Sequence, residues 1–251
     1  MDVYIQISRH LEQLGISLSQ TDLARLSTEA ASKGMDHLEF LCLVTHYLEQ
    51  ERTRRRYDTL LRFSHIPVEK TLDSFDFSFQ PELDESLIRD LARLGFVHAK
   101  QNVIFLSKPG RGKSHLATAL GLACIRQGMK VYMAPLTQII EKLKTALREG
   151  RLTTRSWAAY TRPSLLIIED VASRMLDKQG CELFAELVSR RYERGSIVIT
   201  SNRPFSKWPL IYDPEATEEA VDKLVHHSII IPITGPSYRL KERLKQMDQL
   251  Q

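Results

Sequence analysis

Apolar residues recur at helical spacing through the first 65 residues: Val3, Ile7, Leu11 and Leu14, then Leu23, Leu26 and Ala30. Side chains three and four positions apart share one face of a helix, so each run predicts an amphipathic helix. Gly34 interrupts the pattern. Asp36 then offers an N-cap with Glu39 three residues on, and Leu38, Leu41, Val44 and Leu48 carry a further helix toward Leu61. Pro67 closes the region, which predicts a small all-helical domain over 1–66.

Residues 67–100 read as a linker and a leading helix. The stretch KTLDSFDFSFQPELD at 70–84 alternates Phe75, Phe77 and Phe79, which predicts that it packs on the domain that follows. Leu87, Ile88, Leu91 and Leu94 predict one amphipathic helix over 85–99. From 101 to 251 short apolar runs alternate with helical periods. Strands are expected at 102–106, 130–134, 164–170, 196–202 and 228–233, with helices at 115–127, 137–150, 182–195 and 218–227. Continuous apolar strands separated by helices predict a parallel sheet covered on both faces.

Composition narrows the class. Hydrophobic residues make up 43% of 251, enough for a full core, and the net charge of +4 permits a nucleic-acid partner without requiring one. Cys42, Cys124 and Cys181 lie far apart, without metal-ligand spacing, and fit free thiols in a reducing compartment. The N-terminus carries charge before any long apolar run, unlike a signal peptide, and no stretch approaches the roughly 18 apolar residues of a membrane span. A cytoplasmic protein with no membrane partner is expected.

The chemistry begins where the strand 102–106 meets Ser107-Lys108-Pro109-Gly110-Arg111-Gly112-Lys113-Ser114, followed by His115 at the start of a helix. This is G-x-x-x-x-G-K-[ST] with serine in the first glycine place, set between strand and helix as the motif requires. Backbone N–H groups at the helix start would cradle phosphates, with Lys113 reaching the β- and γ-phosphates and the Ser114 hydroxyl on Mg²⁺. Ser107 fits if its φ stays negative. Arg111 adds positive charge beside the phosphates.

The apolar run Leu165-Leu166-Ile167-Ile168 ends in Glu169-Asp170. Such an acidic strand end places one carboxylate at Mg²⁺, here Glu169, and the next at the attacking water, here Asp170. The usual order is Asp then Glu. The reversal changes the reach of each arm by a methylene, enough to slow a positioned reaction. Asn202, at the end of the strand 196–202, is placed to face the terminal phosphate. Arg190, Arg191 and Arg194 read as a solvated face from which one guanidinium could reach a neighbouring subunit. His226 and His227 are adjacent and diverge on a helix, which favours a structural role over chelation. Arg52, Arg54, Arg55 and Arg56 suit either phosphate contact or a solvated face. Phe75 and Phe77 suit core packing, with stacking near a base as the alternative.

KTLDSFDFSFQPELD, SRRYERGSIVITSNRPFSKW at 189–208, VDKLVHH at 221–227 and GPSYRLKE at 235–242 together resemble the IstB family of insertion-sequence helper ATPases, relatives of the DnaC helicase loader. The resemblance spans nearly the whole chain. It implies an AAA+ fold behind an N-terminal helical domain, non-specific binding to duplex DNA, an ATP-dependent homo-oligomer, and a cognate transposase as partner. It also implies an arginine finger in a D-R-L-x-H-H segment, where this chain has Lys223, and a nucleotide-sensing basic residue at Arg239. Ser107, the Glu169/Asp170 order and Lys223 all depart from the family pattern at the phosphates. They leave two readings open: ordinary DNA-stimulated turnover, or slow hydrolysis with ATP acting mainly as an assembly switch. A helicase loader is a further alternative.

Overall fold

The computed structural model describes residues 3–67, 70–210 and 212–248. It divides into two compact units, Met1–Thr59 and Leu60–Gln251. The first holds α1 (Val3–Gln13), α2 (Gln20–Lys33) and most of α3 (His37–Ser64). Ser19 caps α2 by accepting from the Asp22 N–H at 3.0 Å, and Gly34 ends it in the left-handed region at φ 64°. Asp36 and Glu39 form the expected reciprocal box. The Glu39 N–H donates to the Asp36 carboxylate and the Asp36 N–H to the Glu39 carboxylate, each at 2.8 Å.

The first unit's core is Leu18, Leu23 and Leu26, with Phe40, Leu43, Val44 and Leu48 packed against it. Leu14, Leu38 and Leu41 are exposed at 74%, 76% and 56%. Periodicity therefore located these helices but overstated how much of each apolar stripe this unit covers.

In the second unit the expected helix over 85–99 is two, α4 (Glu85–Leu91) and α5 (Gly95–His98). Leu94 sits between them at φ 69°, a left-handed conformation that ends the helical ladder while keeping Leu94 buried. The strands are β1 (Asn102–Leu106), β2 (Val131–Pro135), β3 (Leu165–Val171), β4 (Ser196–Ser201) and β5 (Ser228–Pro232). The helices between them are α6 (Lys113–Arg126), α7 (Leu136–Arg148), α8 (Thr154–Thr161), α9 (Lys178–Arg191) and α10 (Pro214–His226), and α11 (Tyr238–Asp248) follows β5. Neither α8 nor α11 is among the helices expected from the sequence pattern.

All four pairings are parallel, in the order β2-β3-β4-β1-β5. Alternation along each strand sorts side chains to two faces. Ile104, Leu166, Ile168, Ile197 and Ile199 pack with α7, α8, α9 and α10. On the other face Gly121 of α6 approaches Ile167 and Ile66 so closely that a Cβ would overlap both. The result is a three-layer α/β/α unit in which β4 lies between the strand that leads into the phosphate loop and the strand that ends in acids.

Arg191 corrects the solvated-face reading of its arginine run. It is 1% exposed. Its guanidinium donates to the backbone carbonyls of Tyr160, Pro163, Ser164 and Ser196, at 2.6–3.3 Å. Burial pulls its pKa down to about 10, so it stays charged at neutral pH. It ties the end of α8 to the entries of β3 and β4. Arg190 stacks over Trp157 and pairs with Glu186, and Arg194 is exposed.

Candidate functional site

A cleft of about 330 Å³ opens at the carboxyl ends of β1, β3 and β4. Its floor is the loop from β1 to α6: Pro109, Gly110, Arg111, Gly112, Lys113 and Ser114 line it, with His115. Two of these positions require glycine. Gly110 has φ 80°, and a Cβ there would overlap the Ser237 hydroxyl. Gly112 has φ 99°, and a Cβ would lie 2.6 Å from the Phe75 ring. Gly112 also caps α6 without a side-chain hydrogen bond.

Ser107 lies outside the positive-φ region, as a non-glycine residue must to sit there without strain. Its N–H donates to the Ser201 carbonyl at 3.1 Å, which fixes the loop's entry against β4. Lys113 is 7% exposed. Its Nζ donates to the Ser107 carbonyl at 2.9 Å, the Ser107 Oγ at 3.2 Å and the Lys108 carbonyl at 3.2 Å. Burial lowers its pKa, Asp170 opposes that shift, and Arg239 and Arg111 add to it.

The two acids at the end of β3 differ in placement. Glu169 is half-buried and paired in register with Pro135, and it is not among the residues lining the cleft. Asp170 is exposed and lines it. A bulge between Ile168 and Val171 breaks strand alternation here, and Asp170 takes φ 53°. Its N–H donates to the Thr200 Oγ1 of β4 at 3.1 Å.

Asn202 follows β4 and lines the cleft, and its Oδ1 is buried without a hydrogen-bond partner among the described residues. Arg239 also lines the cleft from the start of α11, a segment held to the loop by the Tyr238 N–H on the Gly110 carbonyl at 2.9 Å. Lys223 lies elsewhere, on α10, donating to the Ser189 Oγ at 3.2 Å and pairing with Glu219. His226 and His227 lie near it. Their rings are 4.1 Å apart because His227 leaves the helix at φ −116°, and no group of three or more metal-ligating side chains occurs among the described residues.

Sequence reasoning missed six lining residues: Lys70, Ser74, Asp76, Phe79, Gln80 and Tyr238. Five fall in the aromatic linker, whose alternating phenylalanines were the available signal. Phe75, Phe77 and Phe79 are half-buried rather than core, and Phe75 and Phe79 line the cleft. Phe75 meets His115 edge-on at 5.2 Å, and the His115 Nε2 lies 2.7 Å from the Thr71 carbonyl, so the linker is tied to the first turn of α6. Burial lowers the His115 pKa, which leaves a neutral ring donating to that carbonyl.

A five-stranded parallel sheet with a glycine loop, a bulged acidic strand end and an intervening polar strand end converging on one cleft has the build of an AAA+ nucleotide-binding site. The solved DnaC helicase loader shares the fold, with a TM-score of 0.51, 22% identity, and coverage of 68% of this chain and 98% of that one. Two curated relatives are closer in sequence. The ATP-binding protein assigned to insertion sequence IS21 in Pseudomonas aeruginosa is 36% identical over 244 residues, 94% of this chain and 91% of that protein. The one assigned to insertion sequence IS5376 in Geobacillus stearothermophilus is 33% identical over 249 residues, 97% and 99% of the two chains. The model of the family described as IstB-like ATP binding protein matches residues 9–246. The chain therefore belongs to the IstB-like ATP-binding proteins of insertion sequences, on an AAA+ P-loop fold.

Proposed function

We propose that this protein is an ATP-dependent helper of a transposase that assembles as a homo-oligomer on duplex DNA and promotes capture of the insertion target. The observation that carries this reading is the convergence of loop, acid and polar strand end on one cleft, in a chain of an insertion-sequence family. In this reading residues 1–66 form the helical domain, 67–100 the linker and leading helix, and 101–251 the ATPase domain. The protein works in the cytoplasm, and no helix among the described residues is long and apolar enough to cross a membrane.

The residues divide the work as follows. Backbone N–H groups of Gly110 to His115 cradle the phosphates of ATP, and Lys113 neutralises the outer two. The Ser114 hydroxyl lines the cleft and suits Mg²⁺, which when bound would neutralise charge on the phosphate oxygens, whereas Glu169 does not line it and would have to turn toward it to serve as the second oxygen donor. Asp170 takes the proton of the attacking water, and the unpartnered Asn202 Oδ1 accepts a hydrogen bond that orients it. Arg239 senses the nucleotide from its own chain. Lys223, which does not reach its own cleft, acts on a neighbouring subunit's ATP as a point charge in place of a guanidinium fork.

A second reading keeps nucleotide binding and drops most of the turnover. It is favoured by the short Asp170 arm on a bulged, left-handed backbone at the place where water must be activated. Both readings predict assembly. Sedimentation of the protein with a DNA duplex should show oligomers with ATP and monomers without it, and its cognate transposase should be retained by the ATP-loaded complex. Assembly indifferent to nucleotide, or no retention of the transposase, would remove the helper role.

A further inference from the structure

An ammonium group has three N–H bonds to give. In Lys113 all three are directed to its own loop: the Ser107 carbonyl, the Lys108 carbonyl and the Ser107 hydroxyl. Two of these acceptors are backbone and exist whatever residue stands at 107. The third exists only because serine occupies the motif's first glycine place. The hydroxyl is itself held, donating to the Lys108 carbonyl at 3.0 Å, so its lone pairs stay turned toward Nζ. The environment sharpens the competition, because Lys113 is almost fully buried and bulk water offers it little alternative.

We propose that the Ser107 hydroxyl is a built-in competitor for the phosphates, holding Lys113 on its own loop and so setting the affinity for ATP. The inference rests on the nucleotide-binding reading above. The nucleotide must take one N–H of Lys113 away from Ser107 before the lysine can reach the outer phosphates. Ser107 is thus a positioning residue, acting through Lys113. No backbone strain enters, since Ser107 lies outside the positive-φ region and alanine fits the same conformation. The effect is a raised threshold: the loop closes on nucleotide only at higher ATP concentration than a glycine or alanine loop would need.

The test is fluorescence titration with N-methylanthraniloyl-ATP of the full chain carrying Ser107, Ser107→Ala, Ser107→Thr or Lys113→Ala, with thermal unfolding of each. Removing one hydrogen bond to a charged donor should tighten binding by Ser107→Ala about five-fold or more. Ser107→Thr, which restores a hydroxyl, should bring affinity back toward that of the serine protein. A lesion to the fold would move affinity the other way and lower the unfolding temperature. Equal or weaker binding by a stably folded Ser107→Ala, or equal tightening by Ser107→Thr, would overturn the proposal while leaving the nucleotide site intact. If the serine protein and Lys113→Ala bind the probe equally or not at all, the nucleotide reading itself falls, and this inference with it.

Discussion

Single residues here carry more than their type suggests. Arg191 belongs to a run of arginines that composition assigns to solvent, yet it is buried and satisfies four backbone carbonyls. Losing the guanidinium takes that donor from all four carbonyls, of which Ser164 keeps a backbone partner, the Ser196 N–H at 3.2 Å, and buried acceptors left unmet are costly. Arg191→Met should therefore destabilise the protein by about 3 kcal/mol or more, whereas Arg190→Ala, on a half-exposed pair, should cost under about 1 kcal/mol. Urea unfolding of both variants separates them, and equal midpoints would contradict the role given to Arg191. The acids show the same dependence on local backbone. The reversed order Glu169-Asp170 was visible in sequence, but the bulge that turns Asp170 into the cleft was not, because a bulge is a property of the pairing with β4.

At the scale of elements, the loop and its neighbours were the most legible part of the chain. A buried strand, a glycine turn and a helix follow one another directly, so local pattern suffices to place β1, the loop and α6. Other elements were hidden for physical reasons. The segment TRSWAAYT of α8 is only eight residues long, and Trp157 and Tyr160 alone mark its buried face. The α11 segment is rich in charge and lacks an apolar stripe wide enough to announce a helix. The break between α4 and α5 turns on one left-handed leucine. The linker was legible as an aromatic stretch but not as a wall of the cleft, since Phe75 packs over Gly112 only once the chain has folded back. That contact makes a prediction. Gly112→Ala places a methyl against the Phe75 ring and forces an unfavourable φ, so nucleotide affinity should fall at least about ten-fold. Isothermal titration with ATP checks it, and unchanged affinity would mean that the Phe75 contact does not constrain the loop.

For the molecule as a whole, alternating strands and helices predicted a parallel α/β unit, and the sheet is fully parallel. The order β2-β3-β4-β1-β5 was out of reach, because strand neighbours are chosen by long-range packing. That order matters for function. It sets the end of β4 between loop and acid, where Asn202 reaches the same cleft as Lys113 and Asp170. The N-terminal helices add a second unit with several uncovered apolar positions, Leu14, Leu38 and Leu41 among them. Family membership places this architecture in insertion sequences, and the DNA and transposase partners follow from it as proposals.

We propose that, in carrying out the helper role, the cleft turns over ATP in response to DNA. The most direct test is steady-state ATP hydrolysis by the purified protein, with and without duplex DNA, beside Lys113→Ala. Turnover should rise when DNA is added and disappear in the variant. Turnover no higher than that of Lys113→Ala, at ATP concentrations shown to saturate the site, would contradict it and leave a nucleotide-switched DNA scaffold in place of an ATPase.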